Sequence, residues 1–471
     1  MLGNFARSIG GLAINIVLAR LLGPEPFGVV ALALLVIGIG NLIIESGLGS
    51  ALVQQHTIES QDIAFVFTLQ MAFGIGLAGL IVVLAPWLAI QFASPTAAPV
   101  IQAMASILIL QAFAQVPSAL LRRAQSFKIL QQVQILSFFV GFFCVGLPLA
   151  LRGAGVWSLV MAQVIQSGLN ALMVYIYSRH SLSPTFKGSR HLAIFGARIL
   201  FANIASWIIQ NVDNIVIGYR FEAKNLGFYS RAYFLNWTPM GIILASAQVS
   251  LFSAVSRLGK GPETNRVFLG FMGFFAILFF SIYWLIALES TNIIKVIYGN
   301  EWLPAAALLS PVAVAMPFLA LVGLEGPMLN GLGKPHFEMW AQWLTAFFAI
   351  LVLIIASKVS LAATAWSIPI IYLFRLSIMS IVTVKVLEIS WMRLIRPILS
   401  GLFMGLLTFI VWNLSNFFIP EKMGVLFVTF TRSMTVLLVW IFVFLMGRIW
   451  LFPEFKSLIN FLFTTKTNII S

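Results

Sequence analysis

Apolar runs separated by short polar breaks follow one another along nearly the whole chain. Each run is about 20 residues, the length a helix needs to cross a hydrocarbon core. The runs are continuous and rich in Leu, Ile, Ala and Phe, without the alternation of barrel strands. About fourteen spans are read by this length criterion, at roughly 5–22, 27–46, 63–92, 98–118, 129–149, 155–177, 193–219, 226–254, 267–288, 302–322, 339–357, 361–386, 397–417 and 424–447. The run at 63–92 exceeds what an upright helix needs, so tilt or a kink is expected there. Pro239, Pro311, Pro317 and Pro369 fall inside spans. Each removes a backbone bond, which is tolerated where a neighbour or a cavity re-satisfies the freed carbonyl.

One hairpin occurs twice. Asn15-Ile16-Val17-Leu18-Ala19 returns as Asn214-Ile215-Val216-Ile217-Gly218, followed at the same distance by Phe27-Gly28 and Leu226-Gly227. The copies close spans one and seven and lead into the next span, a hairpin at the head of each half, so two six-helix lobes are expected. Residues 1–178 form the first lobe, 179–192 a cytoplasmic linker and 193–388 the second lobe. Residues 389–471 then hold two further helices and a short cytoplasmic tail. An even offset of spans makes the repeats parallel, related by an axis along the membrane normal. The stretches 255–266 and 323–338 are read as the other long cytoplasmic connections. None is long enough to fold as a domain, so any chemistry takes place among the helices.

Composition agrees. The 471 residues are 61% hydrophobic and 9% charged, where a soluble domain carries about 25% charged residues. The net charge of +14 is scattered over many loops, unlike the basic stripe or tail of a nucleic-acid binder. Alternating the spans puts more than twice as many Lys and Arg on the side of the N-terminus as on the other, which places both termini in the cytoplasm. Cys144 stands alone, and His56, His180, His191 and His336 fall in presumed loops without ligand spacing, so no disulfide or metal site is expected. The first apolar run leads into the second with no small-residue cleavage site, so no cleavable signal peptide is read. There is no P-loop, no large outer loop, and no paired acids or Ser/His arrangement to support an enzyme.

Polar groups inside spans are the candidate chemistry, since charge in a membrane is costly and by default functional. The second repeat copy has Asp213 where the first has Ile14, and Arg231 where the first has Leu32. Asn203, Ser206, Gln210 and Asp213 share one helical face, with Asn214 at its edge. Two readings of Asp213 and Arg231 stand: a permanent ion pair that fixes the hairpin, or a pair that opens when a cation or an anionic headgroup competes. Arg375 lies mid-span and must face a wet cavity or an anion. Arg198 is near enough to a span end to snorkel, and Arg432 sits at the start of the last span. The N-terminal half offers amides instead: Gln111 and Gln115, Gln131 and Gln134, and the face Gln163, Gln166, Asn170. Such residues bond between helices or line a wet cavity suited to sugars. Arg122, Arg123 and Lys128 cluster at an inner span end, as topology and lipid-headgroup contacts or as first contact for an anionic substrate.

Four segments carry a resemblance. Ile16-Val17-Leu18-Ala19-Arg20-Leu21-Leu22-Gly23-Pro24-Glu25-Pro26-Phe27-Gly28 resembles the opening hairpin of polysaccharide exporters of the multidrug/oligosaccharidyl-lipid/polysaccharide superfamily, which includes Wzx-type flippases. Glu45 to Gln54, Val116 to Lys128, and Asp213 to Ala232 are similar to the same family. The resemblance covers the chain to about residue 260 and implies an all-α membrane fold, two pseudo-symmetric six-helix bundles plus two C-terminal helices around a central cavity. It implies a longer basic N-terminus and a fuller first helix than this chain shows. It also implies flipping of an undecaprenyl-pyrophosphate-linked oligosaccharide across the bacterial inner membrane for lipopolysaccharide, capsule or exopolysaccharide synthesis. The partners expected are that substrate, membrane lipids and other polysaccharide-assembly membrane proteins. No cofactor is expected beyond a coupling proton or sodium ion, with Asp213 the coupling candidate. The alternative is a multidrug-type cation antiporter, which would carry intramembrane acids where this chain has mainly arginines.

Overall fold

The computed structural model describes residues 2–45, 49, 52–53, 55, 58–182, 184–185, 190–418 and 424–447. Among them there is helix and no strand. Twelve helices are long and apolar enough to cross a membrane, and the protein is a multi-pass membrane protein. By packing, the chain falls into two compact units, Met1–Ser230 and Arg231–Ser471.

The first unit holds Leu2–Leu22 (α1), Pro24–Ile44 (α2), Ser60–Gln91 (α3), Ala97–Arg123 (α4), Phe127–Leu151 (α5), Val156–Ser178 (α6), Arg190–Arg220 (α7) and the beginning of Glu222–Leu258 (α8). Gly23 separates α1 from α2 at φ 73°, a conformation that favours glycine, and Pro24 starts the next helix with φ already set. The Glu59 N–H donates to Asp62 at 3.2 Å at the start of α3, a capping box. Small residues set the crossings, as expected where lipid gives helices no hydrophobic reason to associate. A Cβ on Gly74 of α3 would lie 2.5 Å from Ala112 Cβ of α4. In α5 the turns widen to a π-helix over Val140–Gly146. There a Cβ on Gly141 would lie 2.6 Å from the Ala162 carbonyl oxygen of α6.

The second unit holds the rest of α8, then Pro262–Leu288 (α9), Ala306–Gly331 (α10), Pro335–Ser357 (α11), Leu361–Leu387 (α12), Trp391–Phe418 (α13) and Val425–Gly447 (α14). A short helix, Ser290–Ile297, and a 3-10 turn, Asn300–Ala305, connect α9 to α10. α10 is the central helix, buried along most of its length although Pro311, Pro317 and Pro327 lie inside it. Large apolar side chains such as Val83, Trp87, Ile90, Phe347 and Ile355 face outward, as the lipid solvent requires.

Two boundaries differ from the sequence reading. The connection expected at 255–266 shrinks to a few residues, because α8 continues to Leu258 and α9 begins at Pro262. The connection expected at 323–338 is mostly helix, because α10 runs on to Gly331. Pro327 cannot donate to the Gly323 carbonyl; Gln248 of α8 donates to it instead at 2.8 Å. That bond lets the helix pass through its proline, and it puts Glu325 inside a span. His191 and His336, expected in loops, lie within α7 and α11. Part of the 179–192 linker, and the tail from 448, lie outside the described residues.

Lys260, between α8 and α9, pairs at 2.5 Å with Glu388, between α12 and α13, and both side chains are exposed. The bond to Lys260 holds the Glu388 carboxyl below the usual carboxylate range. A lowered folded-state pKa contributes stability above the unfolded pKa and loses it as pH falls through the folded one. Exposed pairs contribute little, so Lys260→Ala is expected to leave thermal unfolding unchanged at neutral and at acid pH, measured in detergent.

Candidate functional site

Helices α4, α5 and α6 turn their amide faces toward one another around a partly open polar cavity of about 210 Å³. Gln111, Gln115, Ser118 and Arg122 come from α4, Gln134 from α5, and Gln166, Ser167 and Asn170 from α6. Three helical stripes that were separate in sequence thus share one space. Gln163 lies one turn before Gln166 on the same face of α6 and is half-buried. Glu45, just past the end of α2, also lines the cavity. It appeared in the sequence only inside a family motif, with nothing to mark it as part of a site. Burial pushes its carboxyl up, and the neighbouring Arg122 guanidinium partly offsets this.

The basic cluster divides. Arg122 faces the cavity, whereas Arg123 donates to the carbonyls of Leu52 at 2.9 Å and Gln55 at 2.5 Å. Those bonds tie the chain after α2 to the end of α4. Lys128 is exposed at the start of α5. The three cationic residues are neighbours in sequence with different tasks.

The two repeat copies meet in the first unit. A Cβ on Gly28 would lie 1.7 Å from the Ala223 carbonyl oxygen, and one on Gly227 would lie 2.1 Å from the Pro24 carbonyl oxygen. The first turns of α2 and α8 therefore cross backbone against backbone, at the glycine of each Phe-Gly or Leu-Gly pair. Only glycine allows that approach. Asp213, 4% exposed, braces the same corner. Its Oδ2 accepts from Tyr229 Oη at 2.5 Å. Its Oδ1 accepts from the Asn214 backbone N–H at 2.8 Å and from Asn214 Nδ2 at 3.1 Å. Both carboxylate oxygens are thus held by groups of the α7–α8 hairpin itself, a partner set the sequence did not suggest. Along α7, Gln210 donates to Ser206 Oγ at 3.0 Å, and Asn203 and Gln210 are exposed.

In the second unit the Arg231 guanidinium lies 4.9 Å from the centre of the Phe234 ring, close enough for a cation–π contact. Arg375 of α12 is within electrostatic reach of Tyr372, Glu338, Glu325 and Tyr233. Glu325 and Glu338 were missed in sequence because both fell in a presumed loop. Glu325 is fully buried. Glu338 accepts from Asn330 at 2.9 Å, and its carboxylate lies over Gly326. Just past the end of α9, Trp412 Nε1 donates to buried Glu289 at 2.6 Å, and Arg432 sits 5.8 Å from the Trp412 ring. No group of three or more His, Cys, Asp or Glu residues able to hold a metal occurs among the described residues.

Comparison with known proteins places this architecture. The chain is similar to the succinoglycan biosynthesis transport protein ExoT of Rhizobium meliloti, 29% identical over 329 residues, 69% of this chain and 66% of that protein, just under two thirds of its length. The teichuronic acid biosynthesis protein TuaB of Bacillus subtilis is 22% identical over 384 residues, 78% of each chain. Among solved structures, the lipid II flippase MurJ in an inward closed conformation superposes with a TM-score of 0.76. That match is 15% identical and covers 95% of this chain and 98% of that one, so it speaks for the fold. The family model for "polysaccharide biosynthesis protein" matches residues 17–307, a stretch that takes in both Phe-Gly and Leu-Gly pairs and the amide-lined cavity, and the chain belongs to that family.

Proposed function

We propose that the protein flips a lipid-linked oligosaccharide across the bacterial cytoplasmic membrane, with both termini in the cytoplasm, for synthesis of a surface polysaccharide. The observation that carries this reading is the convergence of Gln111, Gln115, Gln134, Gln166 and Asn170 around one cavity with Arg122 beside them. Amides donate and accept without demanding charge, which suits sugar hydroxyls. A guanidinium offers a planar fork of donors to a phosphate oxygen. In this reading the saccharide occupies the cavity, Arg122 holds the pyrophosphate, and the lipid tail stays in the bilayer. A cationic drug would need carboxylates instead, and the cavity has only Glu45, with Arg122 next to it. The two six-helix lobes marked by the repeat then alternate access, driven by an ion gradient. ExoT, named for transport in succinoglycan biosynthesis, supports this reading.

The test is complementation of a deletion strain. Arg122→Ala is expected to weaken substrate binding by about 1.5–3 kcal/mol, roughly ten- to hundredfold. A Gln115→Ala, Gln166→Ala, Asn170→Ala triple variant is expected to reduce surface glycan while lipid-linked repeat units build up on the cytoplasmic leaflet. Normal surface glycan from both variants at normal abundance would refute the reading.

A further inference from the structure

The segment Gly323-Leu324-Glu325-Gly326-Pro327 lies inside α10, the central helix of the second unit. It combines the residues that weaken a helix with a carboxyl group at 0% exposure. Pro327 removes the bond to the Gly323 carbonyl, which is taken up by Gln248 of α8. Gly326 leaves room for the Glu338 carboxylate, which would lie 2.6 Å from a Cβ there. Sharp helix kinks form at prolines and glycines of this kind, so the segment is where α10 bends most easily, and Glu325 lies two residues before Pro327.

The surroundings of Glu325 are uneven. Its Oε1 accepts from Ser380 Oγ at 3.2 Å and from Thr383 Oγ1 at 3.4 Å, both on α12. Its Oε2 is buried and has no hydrogen-bond partner among the described residues. Five residues before Ser380 on α12, Arg375 is within electrostatic reach of Glu325 but not in ion-pair contact with it. α11 contributes Glu338 and α8 contributes Tyr233, both facing Arg375. α9 packs against α10 with aromatic rings, Phe280 edge-on to Phe318. Buried charge must be matched by an opposite charge or neutralised. Here the carboxyl has one bare oxygen and a cation close by but not bonded to it, so the group has two ways to be balanced, by a proton or by Arg375.

We infer that Glu325 is the proton-binding site that couples an ion gradient to bending of α10. A proton on Oε2 neutralises the carboxyl and leaves Arg375 for Glu338. Its release leaves a carboxylate that draws Arg375 toward Glu325, shifts α12 against α10 and bends α10 at Pro327. A bare metal cation fits less well. Such ions need several converging oxygens, whereas both hydroxyls here donate to the same Oε1 and nothing faces Oε2. This deepens the transport reading by naming its driving ion, and for its biological role it rests on that reading.

The test is infrared difference spectroscopy of the full-length protein in detergent, between acid and alkaline pH, without substrate. A carboxylic-acid C=O band is expected that disappears in Glu325→Gln and survives in Glu338→Gln. Persistence of the band in Glu325→Gln would overturn the proposal. Should that variant not reach the membrane, a Ser380→Ala, Thr383→Ala variant must shift the band, and an unshifted band would overturn it equally. Loss of the band on adding sodium at constant pH would make this a sodium site and overturn the proton assignment. In cells, Glu325→Gln at normal abundance is expected to abolish surface glycan. Normal glycan with the band assigned to Glu325 would remove the coupling role while leaving the flippase reading intact. Failure of the flippase reading would leave the spectroscopic result unchanged.

Discussion

Gly28→Ala is expected to be among the most damaging single-methyl substitutions in this protein. The added carbon would sit 1.7 Å from the Ala223 carbonyl oxygen, with the Gly227 nitrogen at 3.1 Å. Both obstacles are backbone, so no side chain can rotate out of the way, and α2 and α8 must move apart. Overpacking of this kind costs about 1–3 kcal/mol and at times more. Gly227→Ala meets the Pro24 carbonyl oxygen at 2.1 Å and should behave alike. Because the two act on one contact, the double variant should cost less than the sum. Gly76 and Gly79 of α3 are the controls, since a Cβ at either meets nothing within 4 Å. Alanine there should be neutral or stabilise by about 0.5–1 kcal/mol, through helix propensity. Thermal unfolding in detergent checks all four. Equal melting temperatures across the set would show that the crossing is not tight.

The second large effect concerns Asp213. Removing a buried carboxylate that satisfies three donors should cost about 3 kcal/mol or more, because Tyr229 Oη and both Asn214 donors lose their acceptor. Asp213→Ala is therefore expected to lower the melting temperature and the amount of protein in the membrane. Asp213→Asn separates a brace from an ion carrier. As a brace, Asp213 loses only part of its bonds in this variant, and Tyr229→Phe should reproduce the modest destabilisation with glycan export reduced in proportion. As an ion carrier, Asp213→Asn would abolish export at normal stability while Tyr229→Phe would not. The geometry favours the brace, since both oxygens already have partners, whereas Glu325 has one without.

These residues divide between what local sequence carries and what it cannot. The spans, the all-helical class and the family motifs all follow from the chain itself. Hydropathy is a sum over neighbours along the chain, and insertion of a helix into lipid depends on that sum. The repeated Phe-Gly and Leu-Gly pairs were equally visible, but that they meet was not, because two distant segments share no local signal. The same limit hid Glu325. Polar residues around a proline read as a loop, and only the bond from Gln248, 75 residues away, shows that the helix continues. Gln111, Gln115, Gln166 and Asn170 each stood out as an amide on an apolar helix. Their convergence with Glu45 and Gln134 depends on how α4, α5 and α6 are rotated and how closely they cross. Sequence determined which segments enter the membrane and most of the polar groups that go with them, Glu325 excepted. Tertiary packing, through close contacts at Gly28, Gly74, Gly141 and Gly227, decided which of those groups face one another, because in lipid that choice is made by the shapes of the touching helices and not by hydrophobicity.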